Sequence, residues 1–187
     1  MFSLLHSNPP NLCTSLDGLL IWRSNKIHER GWFHIDQNPS SKPHQCSIQG
    51  LVNLLPSSPS TGGNVLIRGS HKIFPQHYTN DGEYRERLAE LNGDDWLEIR
   101  GDDPILKAYS DNHDIVMNSL LPGDILLWDS RVMHCSSPGT ASSQDTERPH
   151  ITRAAVLVTM VDASTVQDDV RERRREAVKE GKTGTHW

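Results

Sequence analysis

The chain has 187 residues, 24 of them acidic and 19 basic, for a formal charge of −5; its pI is near 6.0 and its mean hydropathy −0.57. That length suits one domain with a substantial core, and the acidic balance excludes a global basic field for nucleic acid or an anionic membrane. No apolar run approaches the roughly 20 residues of a membrane span, and the start Met1-Phe2-Ser3-Leu4-Leu5-His6 is too short, and lacks the basic flank, for a signal peptide.

Taken in chain order, residues 15–23 read as a first strand and residues 32–36 as a short second one, followed by a turn at Gln37-Asn38-Pro39-Ser40-Ser41. Residues 46–55 form the strongest central strand. A Pro/Ser/Gly-rich loop leads through Gly62-Gly63 to a neighbouring strand at 64–68, which Gly69-Ser70-His71-Lys72 closes with a turn. From 81 to 91 the period becomes helical, with Tyr84, Leu88 and Leu91 three and four apart. Strands are expected again at 96–99, at 113–117 and, after the tight turn Leu121-Pro122-Gly123-Asp124, at 125–130. Residues 136–150 read as a polar loop and 154–161 as the last strand. Residues 168–180, within a C-terminal segment of about 166–180, read as an Arg/Glu-rich helix outside the roll, its interleaved charges marking a solvated face. About eight short strands with one helical insert, and no repeat or linker, predict a single mainly β domain: a double-stranded β-helix of the jelly-roll or cupin-like kind, spanning about 15–162.

Cys13, Cys46 and Cys135 form no C-x-x-C or paired framework, which fits free thiols in a reducing compartment and a cytoplasmic location. Cys135 directly follows His134, so a thiolate there would compete for a metal; a half-buried small residue is the reading preferred. His134 itself pairs with His34-Ile35-Asp36 a hundred residues earlier. In a strand, residues i and i+2 share a face, so His34 and Asp36 can grip one ion together while another strand delivers His134. Two imidazoles and one carboxylate are the ligand set of a facial triad, which holds iron(II) and leaves positions open. His71 is assigned to its turn, His113 to structure, Asp124 to its turn, and Trp32 and Trp128 to packing beside the site.

With these residues in view, the chain resembles the phytanoyl-CoA dioxygenase family of iron(II)/2-oxoglutarate oxygenases. The similar stretches are Trp32 to Gln37, Gln49 to Leu55, Gly62 to His71, and Pro122-Gly123-Asp124 leading through Asp129-Ser130-Arg131-Val132-Met133 to His134. The resemblance implies that His34, Asp36 and His134 are the iron ligands, and that Arg153, at the start of the last strand, pairs with the distal carboxylate of 2-oxoglutarate. Arg148 is the rival for that role. A planar, permanently charged guanidinium suits such a grip. Ser136 occupies a position that supplies a hydroxyl to the same carboxylate in some relatives, and Gln49 and Asn53, on one face of their strand, are candidates to line the pocket. Relatives carry a longer region before the H-x-D segment, so parts of the cosubstrate cradle and substrate lid are expected to be absent from this chain. Its end, Thr185-His186-Trp187, is no peroxisomal address.

The expected chemistry is hydroxylation, or another oxidation, of a C–H bond in a small organic metabolite, with iron(II), dioxygen and 2-oxoglutarate as cofactor and cosubstrates and succinate as the second product. An aspartate at position 36, where related halogenases carry a small residue, favours hydroxylation over halogenation. Two alternatives stay open: a non-catalytic metal-binding roll, and a cupin-like metal-dependent hydrolase or isomerase using the same triad. Arg153 discriminates the oxygenase from the hydrolase, because an oxygenase needs a cation facing the cosubstrate carboxylate and a hydrolase does not. Substrate identity and oligomeric state are not written in the sequence.

Overall fold

The computed structural model describes residues 11–15, 17–24, 31–91, 94–140 and 150–182. Arg148, with the rest of residues 141–149 in the predicted 136–150 loop, the first six residues and the last three lie outside them. Among the described residues, ten strands form two antiparallel sheets. The first sheet is organised by β10 (Ile151–Asp162). One of its edges takes β2 (Leu19–Arg23) and then β1 (Leu12–Thr14) in succession, and the other pairs β4 (Ile48–Asn53), which pairs β8 (Ile125–Asp129). The second sheet runs β6 (Leu97–Glu98), β3 (His34–Ile35), β9 (His134–Pro138), β5 (Gly62–Ile67), β7 (Ile115–Met117). This is the double-stranded β-helix that the sequence predicts.

Strand alternation sorts the side chains of the second sheet. Phe33, Ile35, Val65, Ile67, Met133 and Cys135 point outward into an apolar cluster, while His34, Asn64, Leu66, His134 and Ser136 occupy the intervening positions. The outward cluster is covered by three helices, α1 (Gln76–Asn80), α2 (Gly82–Glu90) and α3 (Pro104–Asp111), which contribute Tyr78, Tyr84, Leu88, Ile105 and Leu106. A smaller cluster of Leu51, Trp128 and Ala155, with Leu66, Leu120, Leu126, Val132 and Leu157 against it, fills the space between the sheets.

A polar knot ties the helices together. Buried Asp103 caps α3 by accepting from Ile105 N at 2.9 Å, and also receives Tyr84 Oη at 2.8 Å and His77 Nε2 at 2.9 Å. Burial pushes the Asp103 carboxyl up, but the hydrogen bonds from Ile105, His77 and Tyr84 outweigh it and leave the pKa below its ordinary value. Burial against this acidic neighbour drives the Tyr84 phenol upward.

Several boundaries differ from the sequence reading. The predicted first strand at 15–23 is shorter, β2 beginning at Leu19 after Asp17-Gly18, and a further strand, β1, precedes it; β10 is long enough to pair both. Helices α1 and α3 fall where only polar loop was expected, and Ser70–Ile73 is a turn of 3-10 helix. The first part of the expected 136–150 loop is strand β9. The last helix, α4 (Asp168–Glu180), matches, with solvent-side pairs such as Arg173–Asp169 at 3.2 Å and Lys179–Glu176 at 2.6 Å. Its face is not uniformly solvated, however: Arg174 is buried and reaches Cys13 Sγ at 3.0 Å and Thr14 O at 3.3 Å, docking α4 on β1. No described helix is long and apolar enough to cross a membrane.

Candidate metal centre

The pairing of β3 with β9 places His34 directly opposite His134, and their rings lie 4.3 Å apart between centroids. Asp36 stands one residue beyond the end of β3, where its backbone N–H donates to Ser130 O at 3.3 Å. One ligand atom from each of the three side chains falls within 4.8 Å of the others, and all three residues are buried. His34 Nδ1 lies 3.3 Å from Trp32 O and His134 Nδ1 lies 2.9 Å from Val132 O. A carbonyl can only accept, so each Nδ1 carries the proton and each Nε2 presents a lone pair to the site. Those Nε2 atoms lie 3.6 Å and 3.3 Å from the two oxygens of Asp36. Two neutral imidazoles and a carboxylate converging in this way form a donor set suited to iron(II), manganese(II) or zinc(II).

The segment that carries Asp36 is fixed by its neighbours. Gln37, fully buried, donates from Nε2 to the carbonyls of Lys42 and His44 and accepts from Ser130 Oγ at 2.6 Å. Asn38 Nδ2 donates to Asp94 O at 3.0 Å and its Oδ1 accepts from Ser40 N at 2.9 Å. None of these three residues, Gln37, Asn38 or Ser130, carries a metal-ligand or catalytic spacing, so sequence reasoning passed over them. Trp32 stacks flat on His34 at 4.9 Å with only 3° between the planes, and Trp128 stands 5.2 Å from His134. The flanking roles expected for both tryptophans are met.

A cavity of about 220 Å³ opens over the triad. Trp32, Trp96, Trp128, Gln49, Asn64 and Ser136 are among its walls. Trp96, 47% exposed and 5.8 Å from His34, stands at the rim; it and Asn64 were not singled out in the sequence. Gln49 and Ser136 therefore both line this cavity. Asn53 does not. Its Nδ2 donates to Leu55 O, to Leu120 O at 3.2 Å and to Leu121 O at 3.4 Å, which fastens the turn before β8 rather than facing the cavity.

Arg153 lies on the same face of β10 as Leu157 and Thr159, which line the cavity. It is 1% exposed, and its Nε and Nη1 have no hydrogen-bond partner among the described residues. Its guanidinium lies 4.7 Å over the ring of Trp22, the residue opposite it on β2. Burial lowers its pKa to about 10, so at neutral pH it is a buried cation with unused donors. Gly62 makes the Trp22 placement possible. Its φ is +90°, and a Cβ there would sit 2.7 Å from Gly139 N and 2.8 Å from Trp22. Cys135 points to the outer cluster instead of the cavity, and burial pushes its thiol up to about 12. It is therefore a neutral packing residue and no rival for a metal.

A double-stranded β-helix with a buried His-Asp-His cluster between its sheets defines a class of metal-site roll proteins. The comparisons place the chain within that class. Residues 24–148 match the family model described as phytanoyl-CoA dioxygenase, so the chain belongs to the phytanoyl-CoA dioxygenase family. It is 32% identical over 142 residues to Ava biosynthesis cluster protein O of Aspergillus versicolor, covering 72% of this chain and 44% of that protein. Among solved structures, it resembles EctD from S. alaskensis with bound Fe at 15% identity and a TM-score of 0.50, over 84% of this chain and 47% of that one. The apoform of the same protein matches at 15% identity and a TM-score of 0.50, over 84% and 48%. The chain thus spans less than half the length of these relatives.

Proposed function

We propose that the chain is the catalytic roll of an iron(II)/2-oxoglutarate-dependent dioxygenase that oxidises a C–H bond of a small organic metabolite. One observation carries the proposal: beside the buried triad, the β10 face that lends Leu157 and Thr159 to the cavity also carries a fully buried cation with unused donors. His34, Asp36 and His134 would hold the iron. Arg153 would bind the distal carboxylate of 2-oxoglutarate through its unused Nε and Nη1 donors, with the Ser136 hydroxyl as a second donor. When bound, such a centre would use dioxygen, one oxygen atom going to the C–H carbon to give C–OH and the other to succinate as 2-oxoglutarate loses carbon dioxide.

What this chain's own residues contribute is position and exclusion. Trp32 O and Val132 O hold both imidazoles in the tautomer that offers Nε2. Trp32, Trp96 and Trp128 wall the cavity with apolar surface, which limits water around the reacting carbon. Arg153 neutralises one end of a dianion and so fixes which end faces the triad. A hydrolase or isomerase using the same three ligands would gain nothing from an unpaired buried guanidinium, and that favours the oxygenase reading over it. A small-molecule substrate, a cytoplasmic location and a single domain are part of the same proposal.

The test is anaerobic titration of metal-free protein with iron(II) and 2-oxoglutarate, following the visible charge-transfer band that forms when the cosubstrate chelates iron. The band should appear, vanish in His34→Ala, and require far more 2-oxoglutarate in Arg153→Ala. Iron binding with no band would refute the cosubstrate role and leave a metal-binding roll or a hydrolase.

A further inference from the structure

Gln49 belongs to β4, in the sheet opposite the one that carries β3 and β9. Its Nε2 lies 2.7 Å from Asp36 Oδ2, and both residues are buried. An ionised carboxylate only accepts hydrogen bonds, so the amide must present its N–H₂ to Asp36, which leaves Oε1 on the other side. Oε1 is buried and has no partner among the described residues. Its partners in the sheet are Trp128 on β8 and Thr159 on β10. An unsatisfied buried acceptor is a cost that an apolar residue of the same size would avoid. Stability therefore argues against glutamine at this position, and its one good contact is the Asp36 carboxylate.

That contact decides how Asp36 can bind a metal. A carboxylate can give one oxygen or two. A facial triad keeps three positions open only when the carboxylate gives one, since a second oxygen would occupy the place of a cosubstrate atom. The 2.7 Å hydrogen bond occupies Oδ2 from the opposite sheet and leaves Oδ1 as the better donor.

We propose that Gln49 is a positioning residue of the metal centre, holding Asp36 to coordination through a single oxygen. This rests on the metal site proposed above. It adds to that site a residue with no metal-ligand character of its own.

The experiment uses manganese(II) alone, without 2-oxoglutarate or substrate, on wild type, Gln49→Met and Gln49→Glu. Free manganese(II) is measured by electron paramagnetic resonance. The water molecules on the bound ion are counted from line broadening in ¹⁷O-enriched water. Gln49→Met keeps the volume but cannot donate; Gln49→Glu keeps the shape but sets an anion against an anion. Loss of an outer hydrogen bond to a ligand typically weakens metal binding by about 10–100-fold, and that loss is expected in both variants. The bound ion in Gln49→Met should also carry one water fewer than in wild type, while its melting temperature stays the same or rises. A residue that merely fills space would not move the water count. If Gln49→Met binds manganese within about threefold of wild type with an unchanged water count, the proposal is overturned. If Gln49→Met does not fold, Gln49→Glu is read by the same affinity criterion. Wild type failing to bind manganese would refute the metal site itself, a result distinct from wild type binding and the variants matching it.

Discussion

Replacing Arg153 by methionine should separate stability from cosubstrate binding, with opposite signs. Burial lowers the Arg153 pKa from 12.5 to about 10. At about 1.4 kcal/mol per pKa unit, keeping this cation charged in the fold costs about 3 kcal/mol. Its buried contact with Trp22 returns roughly 1–2 kcal/mol, so the ligand-free protein carries a net cost of about 1–2 kcal/mol. Methionine retains most of the packing without the charge. Arg153→Met should therefore raise the melting temperature of the ligand-free protein by roughly 2–8 °C, taking about 2–4 °C per kcal/mol for a chain of this size. The sign with pH follows from the lowered pKa. Between about 10 and 12.5 the unfolded chain binds the extra proton, so wild-type stability rises with pH there and the gap to the variant narrows. With iron(II) present, 2-oxoglutarate at a hundred times its Kd should stabilise wild type by about 2.7 kcal/mol and leave Arg153→Met almost unmoved. Differential scanning calorimetry, with and without cosubstrate under argon, reads both effects. A variant that loses stability without ligand yet keeps the full 2-oxoglutarate shift would refute the reasoning and make Arg153 a structural residue.

Other substitutions probe the supports of the site. Gly62→Ala meets both a left-handed φ and backbone contacts under 3 Å, and should cost about 2–5 kcal/mol in urea denaturation. Because it displaces Trp22 from Arg153, it should also raise the Kd for 2-oxoglutarate; an unchanged Kd would dissociate Trp22 from the cosubstrate site. Asp103→Ala breaks the knot among α1, α2 and α3 and should cost about 3 kcal/mol. With its folded pKa below its unfolded value, the Asp103 contribution is complete above about pH 4 and is lost as pH falls through the folded value. Wild type and Asp103→Ala should accordingly converge in stability under acid, and parallel acid curves would count against the network. In thiol titration of the native protein, exposed Cys46 should react while Cys135, its thiol pushed up to about 12, reacts only on unfolding. Rapid native labelling of Cys135 would contradict its outward, buried placement.

The triad was legible because strand alternation and residue chemistry agree: the neighbours of the two histidines, Phe33 and Ile35, Met133 and Cys135, pack into the cluster on the opposite face. The reasoning for Asp36 was less complete. It was placed by an i, i+2 rule within a strand, yet β3 ends at Ile35 and a loop held by Gln37, Asn38 and Ser130 delivers the carboxylate. Two missed features had local signals. Asp17-Gly18 is a turn dipeptide that divides β1 from β2, and Asp103-Pro104 is an N-cap followed by proline at the first helical position, which opens α3. Asn53 had no such signal. Its strand position gives the correct general direction, but whether its amide meets a ligand or the carbonyls of Leu120 and Leu121 depends on a turn sixty-odd residues away in the chain.

The division of labour between the two sheets explains why Gln49 and Arg153 were reached through the family resemblance and not through local pattern. The metal-ligand set is delivered by one sheet and the loop that follows its β3, where local pattern suffices to find it. Gln49 and Arg153 come from the other, on β4 and β10, and their roles exist only once the sheets face each other. Each is an unfavourable choice for its own strand: a buried amide with an idle oxygen and a buried cation with idle nitrogens. Nothing in a hydrophobic pattern predicts them, since pattern rewards burial of apolar groups. Leu51, Trp128 and Ala155 of their sheet pack against Leu66 of the other, so the packing that stabilises the roll also sets the distance from Gln49 to Asp36. The two costly residues are thus the ones that depend most on the fold, as expected of groups retained for a ligand and not for stability.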